Sequence, residues 1–106
     1  MYGYTMRVEQ PISTYEAMHR AVMDVAGDDV PGLIVHFAHP TPRGFELTEV
    51  WETKDQLDTF TREVMPRVMQ AAGTGADASR TELVEFDPVV VVTPRAYTSD
   101  RRAPRT

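Results

Sequence analysis

The apolar residues of this chain follow a period of two, then 3.6, then two twice over, then 3.6, then two again. Tyr4, Met6 and Val8 alternate with Thr5, Arg7 and Glu9, which predicts a half-buried strand over Tyr4 to Glu9. Pro11 ends it. Ser13-Thr14-Tyr15-Glu16 has the form of a capping box, with the Ser13 hydroxyl taking an orphan amide and Glu16 reaching back. Tyr15, Met18, Val22 and Val25 or Ala26 then recur at helical spacing, and Gly27 supplies a C-terminal cap. Leu33 to Ala38 and Phe45 to Glu52 read as the second and third strands. Between them, His39-Pro40-Thr41-Pro42-Arg43-Gly44 reads as a hairpin loop whose prolines no central strand would hold. Thr53 is placed to cap a second helix, with Asp55 in its first turn. Leu57, Phe60, Val64, Val68, Met69 and Ala72 form its apolar face. Pro66 predicts a break near Glu63 to Met65, because proline lacks the amide and clashes with the preceding turn. Gly73 to Ser79 is expected as a flexible loop. Glu82 to Thr93 reads as the last strand, interrupted by Pro88 at a bulge or an edge position.

The order strand, helix, strand, strand, helix, strand is the split βαβ, or ferredoxin-like, arrangement. The expected fold class is therefore α+β with an antiparallel four-stranded sheet. Two helices cover one face of such a sheet. Strand two is nevertheless apolar on both faces, with Leu33, Val35 and Phe37 on one and Ile34 and Ala38 on the other. The last strand carries the unbroken run Val89 to Val92. A sheet apolar on both sides must bury its second face, and a second copy of the chain is the economical cover. The expectation is a homodimer. Length agrees: 106 residues make one domain, and domains this small are often marginal alone.

The domain is expected over residues 1–93, followed by a mobile Pro- and Arg-rich tail over 94–106. Residues 1–93 hold 15 acids and 7 bases, whereas the tail holds one acid and the arginines Arg95, Arg101, Arg102 and Arg105. An acidic body argues against nucleic acid or an anionic membrane as the main partner. Ten of the eleven basic residues are arginine, which fits a GC-rich, actinobacterial coding bias. There are no cysteines, so disulfides, thiolate metal sites and cysteine nucleophiles are excluded. No apolar run approaches the roughly 18 residues that span a bilayer, and MYGYTMRVEQ carries no secretory signal pattern. The expected location is cytoplasmic.

The run GLIVHFAHPTPRGFELTEVWETKDQLDTF resembles the dimeric α/β barrel superfamily, and within it the small antibiotic-biosynthesis-monooxygenase-like proteins. The residues that carry the likeness are Glu49-Val50-Trp51-Glu52 at a strand end, then a polar cap and a helix with Leu57 and Phe60. It extends over residues 4 to about 93. The resemblance implies a barrel of two four-stranded sheets, with a small cavity in each subunit between sheet and helices. It implies a range of activities: cofactor-free oxygenation of polyketide quinols, haem degradation, polyketide cyclisation and muconolactone isomerisation.

Two ionisable groups sit inside apolar strands, His36 and Glu49. Two hairpin registers are open. In one, Ile34, His36 and Ala38 share a face with Phe45, Leu47, Glu49 and Trp51. In the other, His36 lies with Thr48, and Val35 and Phe37 lie with Glu49. The first is preferred, since it pairs the two groups instead of leaving each among apolar side chains. As a catalytic pair, Glu49 orients and charge-stabilises the imidazole, and His36 is the general base. Tyr4, Phe37 and Trp51 are then flat walls for an apolar or aromatic ligand, with His39 in a loop at the cavity mouth. The leading expectation is a cofactor-independent monooxygenase or cyclase of an aromatic or polyketide-like molecule. The alternative is a non-catalytic ligand-binding or accessory barrel in which His36 and Glu49 merely satisfy each other.

No metal site is expected. His36 and His39 form H-x-x-H, but on a strand positions i and i+3 point to opposite faces. His19, at the border of the first helix's apolar face, is expected at a surface or interface. A haem protein of this superfamily needs an axial histidine on a helix, and His19 is a weak candidate. No G-x-G-x-x-G stretch is present, so flavin and nicotinamide fingerprints are absent. The methionines, Met1, Met6, Met18, Met23, Met65 and Met69, read as adaptable core filling.

Overall fold

In a computed structural model that describes residues 1–72 and 81–92, the chain runs β1 (Tyr2–Val8), α1 (Ile12–Ala26), β2 (Leu33–Thr41), β3 (Gly44–Trp51), α2 (Lys54–Glu63), α3 (Met65–Ala72) and β4 (Thr81–Phe86). The strands form one antiparallel sheet in the order β2-β3-β1-β4, the ferredoxin-like topology. The expected loop over 73–79 and the tail over 94–106 lie outside the described residues.

Several boundaries differ from those read in the sequence. Helix α1 starts at Ile12 behind an extended Pro11, and no side chain caps it. Ser13 is already inside the first turn, so the capping box does not form. The Thr14 amide donates to the Pro11 carbonyl at 2.9 Å instead. The Gly27 cap does form: at φ 70° it donates its amide to the Met23 carbonyl, a backbone angle that glycine adopts without cost. Thr53 caps α2 and accepts from the Gln56 amide at 3.3 Å. The break before Pro66 falls at Val64, which separates α2 from α3. Pro66 then sits in the first turn of α3, where its missing amide costs nothing.

Strand β2 is longer than expected and carries Pro40 within it, paired with Phe45. The proline fits because β2 is an edge strand. The hairpin connection therefore shrinks to Pro42-Arg43, with Thr41 opposite Gly44. Strand β4 is shorter than expected and stops at Phe86, two residues before Pro88. Val89, Val90 and Val92 lie beyond it, largely exposed.

All helices pack on one face of the sheet. The side chains buried among the described residues are Tyr4, Ala21, Phe45, Val50, Trp51 and Val68. Trp51 packs its ring against Phe60 of α2 at 5.7 Å between centroids. The opposite face is uncovered. It presents Phe37, Val84 and Phe86, with the Thr5 and Thr48 hydroxyls bonded to each other at 2.9 Å. Arg7 bridges Glu46 and Glu82 at its border. Among the described residues, no helix is long and apolar enough to cross a membrane.

Candidate active site

Antiparallel pairing sets His36 directly opposite Glu49. This is the preferred register, with one amendment. Between Leu33 and Val35 the ladder shifts, so Ile34 is an extra residue in a bulge. Leu33, not Ile34, therefore lies opposite Trp51 and shares the helix-side face.

That face and the helices enclose a cavity of about 360 Å³. Apolar side chains line most of it, from Met6, Leu33, Phe45 and Leu47 on the sheet to Met18, Val22, Leu57 and Phe60 on the helices. Five titratable groups converge in it: Tyr4, Tyr15, His19, His36 and Glu49. Such a lining, apolar with a few aimed polar groups, is the ordinary make-up of a small-molecule site.

Glu49 is held from two sides. Its Oε1 accepts from the Tyr4 hydroxyl and, at 3.0 Å, from Nε1 of Trp51. Glu49 and Trp51 are two apart on a strand and so share a face, while Tyr4 is the cross-strand partner of Glu49 on β1. Oε2 remains for His36, 3.8 Å from its Nδ1. The Tyr15 hydroxyl lies 3.5 Å from the same nitrogen. Both distances are longer than an ordinary hydrogen bond. The His36 and Glu49 side chains are 28% and 15% exposed, which screens them from bulk water but leaves them reachable.

The electrostatics follow from burial. Desolvation lowers the His36 pKa below the ordinary imidazole value; the Glu49 charge opposes this and His19 adds to it. The imidazole is thus neutral near pH 7 and able to accept a proton. In the tautomer that carries its proton on Nδ1, the side facing Glu49, the lone pair is on Nε2. Burial first, then the neighbouring Glu49 charge, push the Tyr4 phenol far above its usual range. Tyr4 therefore stays protonated and serves as a fixed donor to the carboxylate.

Of the residues singled out in the sequence, the structure brings His36, Glu49, Tyr4 and Trp51 into one cavity. It does not bring Phe37 or His39 there. Phe37 pairs with Thr48 on the uncovered face and is largely exposed. His39 lies in β2, not in a loop, and pairs with Glu46 on that same face, its Nε2 3.6 Å from Oε1. Alternation along β2 is the cause: Phe37 and His39 lie one and three positions from His36, odd offsets that face the other way.

His19 is also placed differently from its expected position at a surface or interface. Its ring stacks on Tyr15 at 6.0 Å and lies 5.6 Å from the His36 ring. Its Nδ1 is buried without a hydrogen-bond partner. An unpaired buried polar atom costs about 1–3 kcal/mol. The sequence signal was the i, i+4 spacing of Tyr15 and His19, which puts both on one helix face. Among the described residues, no group of three His, Cys, Asp or Glu side chains is arranged to hold a metal ion.

No protein-family model matches the chain, and no curated protein matches it. Solved structures do. A candidate antibiotic biosynthesis monooxygenase from Caulobacter crescentus superposes with a TM-score of 0.58 at 18% identity, over 84% of this chain and 90% of that one. A protein of unknown function from Nitrosomonas europaea gives 0.61 at 10% identity, over 89% and 94%. The heme-degrader MhuD of Mycobacterium tuberculosis, solved with two hemes in its active site, gives 0.54 at 17% identity, over 88% and 100%. The chain thus has the fold of the antibiotic-biosynthesis-monooxygenase-like proteins. At these identities the likeness speaks for fold alone.

Proposed function

We propose that the chain is a small cofactor-independent enzyme that deprotonates an aromatic or polyketide-like molecule inside this cavity, with His36 as general base and Glu49 as its positioning carboxylate. The observation that carries the proposal is Glu49 itself. Tyr4 and Trp51 fix one carboxylate oxygen, and the other is left facing a neutral imidazole within an apolar cavity. A purely structural pair needs no open space beside it, whereas a general base does.

The chemistry is a proton transfer. The His36 Nε2 lone pair takes a proton from a phenolic O–H or an acidic C–H of the substrate. The positive charge formed on the ring is stabilised by Glu49, and the substrate keeps the electron pair as a phenolate or enolate. Such an anion closes a ring on a carbonyl of its own chain, or it reacts with molecular oxygen. In the second case one oxygen atom enters the substrate, and the other leaves as water with the two hydrogens removed. The apolar lining of the cavity receives the ring, and Trp51 and Tyr4, both buried, back it by holding Glu49. The uncovered sheet face, with Phe37, Val84 and Phe86 exposed, supports a homodimer as the working form.

The test is a thermal-shift screen of wild type and His36→Ala against aromatic polyketide intermediates, simple quinols and haem. A ligand that binds the folded state raises its melting temperature by mass action. A hit that depends on His36 and is turned over by wild type supports the enzyme. Absence of any hit, together with a large fall in the variant's own melting temperature, would reassign the pair to a structural role in an accessory barrel.

A further inference from the structure

We propose that His19 is a second catalytic residue of this site: an N–H donor that holds the substrate oxygen on which negative charge develops when His36 removes the proton. The proposal rests on the cavity reading above and narrows its substrate class to rings that carry an ionisable hydroxyl or an enolisable carbonyl.

Three observations lead to it. His19 lines the same cavity as His36 and Glu49. Its ring lies 5.6 Å from that of His36, so one ring-sized molecule meets both. Its Nδ1 is buried without a partner, so the ring edge left to the cavity is the one that carries Nε2. A neutral imidazole has one proton to place. On Nδ1 it would be a buried donor with no acceptor, the rarer kind of orphan. On Nε2 it meets water or a ligand oxygen. The favoured tautomer therefore presents an N–H to the cavity. Tyr15 stacks on the ring at 6.0 Å and fixes its orientation, so the donor is in place before charge develops.

The two imidazoles then have opposite duties. A substrate O–H gives its proton to the Nε2 lone pair of His36, and its electron pair stays on oxygen. The His19 Nε2–H donates to that oxygen, or to the carbonyl conjugated with it. The titratable groups facing His19 are Tyr15 on its own helix, His36 on β2, and Tyr4 and Glu49 across the cavity on β1 and β3. None of these supplies a permanent positive charge, and among them only the imidazoles and Tyr15 can donate to a bound oxygen once Tyr4 is committed to Glu49.

The experiment compares 2-naphthol with naphthalene on wild type, His19→Phe and His19→Gln. Phenylalanine keeps the ring and its stacking without nitrogen, and glutamine restores an N–H near the Nε2 position. Binding is measured by titration calorimetry, and ionisation of bound naphthol by its absorbance across pH. In wild type and His19→Gln, bound naphthol should ionise at lower pH than free naphthol. In His19→Phe that lowering should be lost and naphthol affinity should fall about tenfold or more, while naphthalene affinity changes less than twofold. Unchanged naphthol ionisation in His19→Phe would overturn the donor role alone. Equal losses for naphthol and naphthalene would make His19 a packing residue and overturn it likewise. Failure of 2-naphthol to bind wild type would overturn the cavity reading, and this inference with it.

Discussion

At the scale of single residues, the site turns on how Glu49 is divided between its neighbours. Glu49→Gln keeps a carbonyl oxygen for Tyr4 and Trp51 but removes the charge beside His36. Of the influences on His36, only Glu49 raises its pKa. Ring-proton NMR should therefore show His36 titrating at lower pH in the variant than in wild type, with the fold intact. An unchanged titration would mean that the pair is not coupled. His36 also makes stability depend on pH. Its folded pKa lies below the unfolded value, so the unfolded chain binds more protons in the window between them, and stability falls as pH drops through about 6.5. Denaturant titrations from pH 7.5 to 5 should show a shallower loss for His36→Gln than for wild type. The difference is bounded at about 1.4 kcal/mol per pH unit for a single proton. Parallel curves would remove His36 as the cause. Much of this was legible beforehand. Strand alternation and the cost of isolated buried polar groups put His36 opposite Glu49. The same alternation turns Phe37 and His39 away from His36, to the uncovered face. The i, i+4 spacing of Tyr15 and His19 puts both on one helix face, but the approach of His19 to His36 depends on how α1 packs against the sheet.

At the scale of elements, the hairpin between β2 and β3 fixes the register on which the site depends. Its anchor is Gly44, where β3 comes hard against the end of β1. A Cβ at Gly44 would stand 2.1 Å from the Val8 carbonyl oxygen and 2.8 Å from the Gln10 amide nitrogen. These are backbone atoms, so neither can swing away. Gly44→Ala should destabilise the protein by about 2 kcal/mol or more, read as a lower denaturation midpoint at unchanged slope. A neutral outcome would show that the hairpin can part from β1 without cost. The sequence already marked this glycine, but as the end of a long loop. Pro40 in the sequence reads as a barrier to pairing, whereas at an edge strand a missing amide can face outward. The converse error befell β4. Its valine run has high strand propensity, yet the ladder with β1 ends at Gly3 opposite Phe86, and propensity cannot extend a strand past its partner. The helix break before Pro66 was legible because it follows from local covalent geometry and needs no partner.

At the scale of the whole molecule, the balance of buried and exposed apolar surface favours association. Only Trp51 and Val68 are fully enclosed among the large side chains described. Against them stand Phe37, Val84 and Phe86 on the uncovered face, and Val89, Val90 and Val92 beyond β4. Apolar groups gathered on one sheet face, bordered by Arg7, Glu46 and Glu82, have the form of an interface core with a polar rim. A second copy applied face to face would bury them and leave both cavities intact, since the cavity lies on the other side of the sheet. Light scattering after size exclusion should therefore give a mass near twice 11.9 kDa. Melting temperature should rise with protein concentration, as linkage requires for a folded dimer in equilibrium with unfolded monomers. Phe37→Glu combined with Val84→Glu puts like charges into the centre of that face and touches nothing in the cavity. The double variant should run as a monomer, near the 11.9 kDa of one chain, and melt at lower temperature. If it still refolds, any activity it retains measures how far the cavity depends on the second sheet. A wild type that runs as a monomer at every concentration would leave the apolar face without a dimer to explain it.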